Sequence, residues 1–238
     1  MYKTIDTPKG KYRYKFVPIF EGIKPLNKEI ANENLKLLKE VCDRNGLHFL
    51  LFFGTLLGAV REHDFIKHDE DVDLAMLKRD MPAFLSMLFE LRKVGFELAR
   101  YERRGFLSII RKGEYIDINY FEPYSKDPSL MYSCMDICEK QFIEDIAPIT
   151  FLGNTYMAPR EYEDYLRYQY GENWRTPIQR FEYAPSKLAR FKQVAVSYAK
   201  AMIPMSVLEW MQEKKEQQQL NIFIERIEKE RKRKAVNA

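Results

Sequence analysis

The sequence predicts an α+β fold in which helices flank a mixed β-sheet and a helical extension follows at the C-terminus. An apolar run at residues 49–53 stops at a Gly-Thr turn, as a buried strand does. Residues 69–75 alternate between acidic and apolar side chains, which is the two-residue period of a strand with one buried face. Residues 30–44 and 81–94 instead carry apolar side chains at helical spacing. Strands and helices therefore alternate along a chain of 238 residues, which is long enough for one good core with an appendage.

In the first half of the chain, glycine, proline and capping residues mark where elements begin and end. Asn45-Gly46 stops the first helix, because glycine accepts the left-handed backbone of a C-terminal cap. Asp80 and Pro82 suit the first turn of the next long helix. The predicted elements are an irregular segment at 1–28, a helix at 30–44, a strand at 48–53, a short helix at 56–62, a strand at 72–77 and a helix at 81–94.

In the second half, turn residues separate three strands before the pattern becomes helical. The predicted elements are strands at 96–101, 106–111 and 114–121, a loop or short helix at 123–140, a hairpin at 142–156, and helices at 159–170, 185–201 and 205–234. We divide the chain into a main domain at residues 1–180 and a helical C-terminal extension with a basic tail at residues 181–238.

The alternating strand concentrates negative charge on one of its faces. Asp69, Asp71 and Asp73 face one way, while Val72 and Leu74 face the other. At roughly 5 Å and an effective dielectric of about 20, each neighbouring carboxylate pair costs on the order of 3 kcal/mol. A strand tolerates this cost when a cation neutralises the acidic face. Oxygen-rich sites suit Mg²⁺ or Mn²⁺, so the sequence predicts a hard-metal site at this strand.

The acidic strand belongs to a longer pattern of fixed order and spacing. It consists of Gly54-Thr55-Leu56-Leu57-Gly58-Ala59-Val60-Arg61, then Phe65-Ile66, then Asp69-Glu70-Asp71-Val72-Asp73. This pattern resembles the signature of the LicD/fukutin-type phosphotransferases, which belong to the nucleotidyltransferase-fold superfamily. Residues 165–177 resemble the distal block of the same family, and the resemblance covers about residues 30–180. It implies a nucleotidyltransferase-fold catalytic domain at residues 1–180. The family usually carries Pro-Trp before the acidic run, where this chain has Lys67-His68.

The resemblance implies a metal site of three carboxylates, the third on a later strand. Asp117 fits this role, since it stands between Ile116 and Ile118 in an otherwise apolar strand; the alternative is a surface aspartate on an edge strand. Asp71, Asp73 and Asp117 would then hold Mg²⁺ or Mn²⁺ as catalytic residues. The fourth catalytic candidate, Asp69, is either an outer ligand or the general base.

Four further residues are candidates for binding the phosphates of a substrate. The backbone amides at Gly54 and Thr55, where a helix starts, would cradle the phosphates. Arg61 would clamp a phosphate bidentately, with a surface salt bridge as the alternative. Lys67 would add a further contact.

The resemblance also implies a reaction. A phospho-alcohol such as phosphocholine would pass from a CDP-linked donor to a hydroxyl of a cell-surface glycan or its lipid-linked precursor, and CMP would leave. Two alternatives remain open. One is a nucleotidyltransferase that acts on a nucleoside triphosphate and releases pyrophosphate, and the other is a non-enzymatic interaction protein with a relic site.

Charge and hydropathy limit the binding partners and the cellular location that the sequence predicts. The net charge of +4 is modest and residues 211–238 supply +3 of it, so no basic face for nucleic acid is expected. The N-terminus has no apolar signal segment, so we expect the cytoplasm. The cationic run at residues 231–234 suggests peripheral contact with the inner face of the membrane, with a solvated helix as the alternative.

Overall fold

A computed structural model of the chain describes residues 1–18, 24–134, 136–177 and 187–204, together with short stretches between residues 206 and 232. These residues form a mixed α+β fold. In the described part, a nine-stranded sheet is flanked by helices, and a two-stranded hairpin lies apart from it. The strands are β1 (Tyr2–Thr7), β2 (Gly10–Lys15), β3 (Leu50–Leu51), β4 (Val72–Leu77), β5 (Glu97–Glu102), β6 (Phe106–Arg111), β7 (Glu114–Tyr124), β8 (Asp127–Ser133), β9 (Asp136–Glu139), β10 (Ile146–Phe151) and β11 (Asn154–Pro159). The helices are α1 (Lys28–Arg44), α2 (Phe53–Arg61), α3 (Met81–Lys93), α4 (Gln141–Glu144), α5 (Tyr162–Tyr170) and α6 (Lys187–Met202).

The sheet places β4 and β7 side by side at its centre. Its strand order is β10-β11-β3-β4-β7-β6-β5, and β8 and β9 extend the far end of β7. The β4–β7 and β11–β3 pairs are parallel, and the other neighbours are antiparallel. Val72 and Leu74 of β4 are fully buried, as the predicted alternation requires. Helix α2 contacts β4 and helix α1 contacts β7, so helices help to bury this parallel pair.

Most of the predicted helices and strands are confirmed. The helix predicted at 30–44 is α1, whose N-cap Asn27 accepts a hydrogen bond from the Ile30 amide and whose end is followed by Gly46 at φ +67°. The strands predicted at 72–77, 96–101, 106–111 and 114–121 are β4 to β7, and the hairpin predicted at 142–156 is β10 and β11. In these segments the amphipathic pattern is long enough to distinguish a helix from a strand.

Three predictions of local structure were wrong. The irregular segment predicted at 1–28 contains the β1–β2 hairpin, in which Tyr12 and Tyr14 are buried. The loop or short helix predicted at 123–140 contains β8 and β9. The strand predicted at 48–53 is only two residues long, because helix α2 already begins at Phe53 and not at Leu56. In each case partners distant in sequence, not local propensity, decide the outcome.

The C-terminal extension packs partly onto the main fold. Leu220 and Ile227 are buried members of the hydrophobic core. Arg231 donates to Asp127 Oδ2 at 3.1 Å and to Ser129 Oγ at 2.8 Å, so it is held against β8. The predicted domain boundary at 180/181 lies outside the described residues, as do residues 233–238 of the tail. None of the described helices combines the length and apolar character that a membrane span requires.

Because the tail packs on the core, substitutions of two isoleucines that lie five residues apart should have different effects on stability. Ile227→Ser should lower the free energy of unfolding by about 2–5 kcal/mol, because it removes a buried apolar side chain. Ile222→Ser, at an exposed position, should change it by less than about 0.5 kcal/mol. Urea unfolding of both variants measures the difference. Equal stabilities would show that the tail does not belong to the core.

Candidate active site

The central strand pair brings the predicted carboxylates together. Strands β4 and β7 pair in parallel with Asp73 directly opposite Asp117. Adjacent strands lie about 4.8 Å apart, so the two side chains emerge side by side. Asp71 precedes β4 by one residue and lies two positions from Asp73, which puts it on the same side of the chain. The strand neighbourhood that the assignment of Asp117 requires is therefore present, although the two residues are far apart in sequence.

The start of helix α2 closes the site from one side. The Gly54 amide donates to Asp73 Oδ2 at 3.2 Å, and the Asp73 amide donates to Thr55 Oγ1 at 2.8 Å. A Cβ on Gly54 would lie 2.8 Å from Asp69 Oδ2 and 3.2 Å from Asp73 Oδ2. Glycine is therefore required here because any side chain would enter the space where these two carboxylates meet. The positive end of the helix dipole favours the anionic form of Asp73.

The junction between β3 and α2 is strained and held by packing. Phe53 has φ +40°, a conformation that costs a bulky residue roughly 1–2 kcal/mol. The neighbouring Phe52 is fully buried and its ring lies 4.2 Å from the ring of Tyr165 and 5.4 Å from that of Phe121. These aromatic contacts fix the sharp turn that aims the Gly54 amide at the carboxylates.

The carboxylate of Asp117 already accepts hydrogen bonds from side chains of β6 and β5. Ser108 Oγ donates to Asp117 Oδ1 at 2.5 Å, and Arg100 Nη2 donates to Oδ2 at 3.0 Å. In the sheet register Arg100 pairs with Ser108, Ser108 with Asp117, and Asp117 with Asp73. A single row of polar side chains thus crosses four strands, from a cation at β5 to the acidic cluster at β4. The sequence analysis missed Arg100 and Ser108, because only the register across the sheet reveals them.

Electrostatics show that the cluster holds more negative charge than its surroundings neutralise. Burial, then the charges of Asp117, Asp69 and Glu70, raise the pKa of Asp71 to about 7. Burial and the charge of Asp71 raise the pKa of Asp73 well above its ordinary value. Burial also raises the pKa of Asp117, and outweighs the opposing effect of Arg100 and Ser108. Carboxylates that raise one another's pKa values are stabilised in their ionised form by a bound cation.

The donor set of the cluster fits a hard divalent cation. Its ligands would be carboxylate oxygens, which Mg²⁺ and Mn²⁺ prefer. Among the residues that the structure describes, however, no three acidic, histidine or cysteine side chains are arranged as a ready-made metal site. The pairing of Asp117 with Arg100 accounts for part of this, because its carboxylate is directed toward the guanidinium.

The four phosphate candidates lie in different surroundings. Gly54 and Thr55 are in the first turn of α2, where the Gly54 amide is bound to Asp73 and Thr55 is buried. Arg61, at the far end of α2, donates through Nε to Glu62 at 2.8 Å and through Nη1 to the Trp174 carbonyl at 3.1 Å. Lys67 is exposed in a turn before the acidic run. The structure thus places Gly54 and Thr55 at the carboxylates, and ties Arg61 to the segment after α5.

Two tyrosines also lie within electrostatic range of the cluster, and the sequence analysis did not assign them to the site. Burial, then the charges of Asp73 and Asp69, raise the pKa of Tyr170, while Arg61 acts in the opposite direction. Burial, then Asp71 and Asp117, raise the pKa of Tyr115. Both hydroxyls therefore stay protonated near the carboxylates and can donate hydrogen bonds. The position of Tyr170 depends on how helix α5 packs, and that of Tyr115 depends on which face of β7 it occupies.

Known proteins resemble the part of the chain that carries these carboxylates. Residues 46–161 match the family model described as LicD/FKTN/FKRP, nucleotidyltransferase domain. The chain is 26% identical over 184 residues to the ribitol 5-phosphate transferase FKRP of Homo sapiens, a match that covers 70% of this chain and 35% of that protein. The chain thus spans about a third of the length of this curated relative.

Solved structures resemble the chain only distantly. The lincomycin-bound lincosamide antibiotic adenylyltransferase LnuA is 8% identical, with a TM-score of 0.40 over 56% of this chain and 83% of that chain. The antibiotic-resistance factor ANT(2'')-Ia, in complex with adenylyl-2''-tobramycin, is 12% identical, with a TM-score of 0.42 over 82% of this chain and 99% of that chain.

The raised pKa of Asp71 predicts how stability depends on pH in the absence of metal. The pKa rises from 3.8 to about 7, so the folded state binds the proton more tightly than the unfolded chain does. The free energy of unfolding of the wild type should therefore fall as the pH rises from about 4 to about 7. Above that range the full cost of ionising Asp71 in the folded state should be present. Asp71→Asn cannot ionise, so it should exceed the wild type by about 1–4 kcal/mol at about pH 8 and show no gain at about pH 3.5.

Urea unfolding in EDTA at both pH values measures this difference. Asp6→Asn, which removes an exposed carboxylate, is the matched control and should follow the wild type. An advantage of Asp71→Asn that is the same at both pH values would contradict the prediction, because it would not arise from ionisation.

Proposed function

Because residues 46–161 match the LicD/FKTN/FKRP nucleotidyltransferase family model, we propose that this chain is a metal-dependent phosphotransferase. It moves a phospho-alcohol from a CDP-linked donor to a hydroxyl of a cell-surface glycan or its lipid-linked precursor, and releases CMP. Phosphocholine and a polyol phosphate are the candidate groups, the second suggested by the name of the human relative.

One observation carries this proposal. Asp73 and Asp117 lie opposite each other on parallel central strands, and Asp71 immediately precedes β4, two residues before Asp73. Phosphoryl transfer depends mainly on positioning and on neutralising charge, and a cluster of partly buried carboxylates beside a glycine turn supports that chemistry.

We assign the metal to three of these carboxylates. Asp71, Asp73 and Asp117 would hold Mg²⁺ or Mn²⁺, with Asp69 at the edge of the site. When bound, the cation neutralises charge on the phosphates and makes the acceptor hydroxyl more acidic.

The protein's own residues would then align the reactants and take up the proton. The acceptor oxygen attacks the phosphorus that bears the alcohol, a new P–O bond forms, and the bond from that phosphorus to the bridging oxygen breaks. CMP leaves with the electron pair of that bond. We assign the hydroxyl proton to Asp69, because Asp117 already accepts hydrogen bonds from Arg100 and Ser108.

Arg100 is the residue that we add to the phosphate-binding set. It lies 3.0 Å from Asp117 and its guanidinium stacks 4.3 Å from the centre of the Phe106 ring. If Asp117 turns to the metal, Arg100 loses its carboxylate partner and can donate to a phosphate in the bidentate geometry that guanidinium groups favour.

The leaving group distinguishes this proposal from a nucleotidyltransferase. With Mg²⁺ and a panel of CDP-alcohols, we expect CMP as the product and an increase in melting temperature on donor binding, since a ligand that binds only the folded form stabilises it. Nucleoside triphosphates should yield no pyrophosphate. Pyrophosphate release without CMP would identify the chain as a nucleotidyltransferase, and the absence of both products together with no binding of Mg²⁺ or Mn²⁺ would favour the relic site.

Asp117→Asn tests the metal assignment directly. The variant should raise the Kd for Mn²⁺ by about tenfold or more, which corresponds to about 1.4 kcal/mol, because it removes one ligand charge. Turnover should collapse with little loss of stability. Calorimetric titration of Mn²⁺ measures the affinity, and Asp43→Asn on the exposed side of α1 is the control. Equal Mn²⁺ affinities for Asp117→Asn and the wild type would remove Asp117 from the site.

A further inference from the structure

Helix α6 carries an apolar stripe that faces solvent. Leu188, Phe191, Ala195, Tyr198 and Met202 follow one another at intervals of three or four residues, so they share one side of the helix. Their side chains are exposed, with Leu188 at 65%, Phe191 at 70% and Met202 at 78% of their full surface. A contact between the rings of Phe16 and Tyr198, 5.7 Å apart, ties the helix to the rest of the fold. A continuous exposed stripe of this kind marks an interaction surface.

The charges on the same segment all have one sign. Residues 187–204 contain four basic residues and no acidic residue. Lys192 is exposed and lies on the flank of the apolar stripe, about 80° from its centre at 100° per residue, whereas Lys200 lies on the opposite side of the helix. A helix with an apolar side, a flanking lysine and no acidic residue is complementary to an anionic surface with an apolar interior.

The apolar surface extends beyond α6. Val207, Trp210 and Met211 are exposed as well, Trp210 at 62% of its surface. Tryptophan favours the boundary between lipid headgroups and acyl chains, because its ring is apolar and its N–H is polar. The tail after this segment differs, since Leu220 and Ile227 are buried and Arg231 is bound to Asp127 and Ser129.

We propose that α6 is a membrane-surface helix that lies on an anionic lipid bilayer, with Trp210 and Met211 beyond it also in contact with lipid. Leu188, Phe191 and Met202 enter the region between headgroups and acyl chains, and Lys192 contacts the lipid phosphates. This assigns membrane contact to α6 and not to the cationic run at residues 231–234 that the sequence suggested. The proposal is independent of the phosphotransfer reaction, because lipid binding requires neither donor nor acceptor.

Flotation of the full chain with vesicles tests the proposal. Vesicles of phosphatidylcholine with phosphatidylglycerol should bind the protein, and pure phosphatidylcholine should bind it much more weakly. The variant Lys192→Gln should lower the partition coefficient about fivefold, because it removes one charge that contacts lipid phosphates. Leu188→Ser/Phe191→Ser should lower it by about a hundredfold or more, because two apolar side chains no longer leave water.

Matched substitutions in the tail are the controls. Ile222→Ser and Lys232→Gln alter exposed residues of the same types and should leave binding unchanged. Circular dichroism should show that all four variants retain the fold, since each changes exposed residues only.

Tryptophan fluorescence gives an independent measure. The chain has two tryptophans, of which Trp174 is 3% exposed and already shielded from water. Anionic vesicles should therefore shift the emission of Trp210 to shorter wavelength, and Trp210→Phe should abolish the shift.

Several results would overturn the proposal. These are equal binding to neutral and anionic vesicles, no binding to either, or binding that the tail variants reduce and the α6 variants do not. A dimer in solution that Leu188→Ser/Phe191→Ser dissociates, together with no vesicle binding, would instead assign the stripe to a second copy of the chain.

Discussion

Repulsion between carboxylates on two adjacent parallel strands is the constraint on which the rest of the site depends. Asp71, Asp73 and Asp117 lie together in one partly buried region. Burial raises the pKa of all three carboxyl groups, and the charges of Asp71 and Asp117 raise the pKa of their neighbours further. The fold offsets part of this cost in three ways: the Gly54 amide and the dipole of α2 act on Asp73, Ser108 donates to Asp117, and Arg100 supplies a cation. The elements that surround the centre of the sheet can be understood as supports for these groups.

Sequence periodicity was enough to predict the strands that carry the cluster, and it failed where a partner far along the chain decides the structure. The alternation around Val72 and Leu74 predicted strand β4, and the family resemblance implied that the strand with Asp117 lies beside it, a neighbourhood that the structure contains. Strands β8 and β9 were missed because their pairing with the end of β7, and not their own pattern, makes them strands. The N-terminal hairpin was missed for the same reason, since its buried Tyr12 packs against the guanidinium of Arg92 in the distant helix α3.

The phosphate-binding candidates show a second limit of sequence reasoning. A glycine or an arginine near an acidic run has the right chemistry, but the sequence does not reveal which hydrogen bonds the fold already uses. Arg61 is committed to Glu62 and to the Trp174 carbonyl, so its structural role is to hold the segment after α5 near the site. Arg100, thirty-nine positions further on, stands at Asp117 through the sheet register. Position across a sheet is a property of pairing, which a single sequence does not display.

The C-terminal extension divides its apolar residues between two uses. In the tail they are buried with the core, so their burial stabilises the fold by roughly 1.5–3 kcal/mol for each large side chain. In α6 the same kinds of residue remain exposed, so the isolated protein gains no free energy from burying them. On a bilayer, Lys192 at about 1 kcal/mol would add to partial burial of Leu188 and Phe191, a total that suits reversible attachment and not permanent anchoring. A short exposed helix joined to a packed fold can therefore bring the protein to a surface without altering the geometry of the carboxylates.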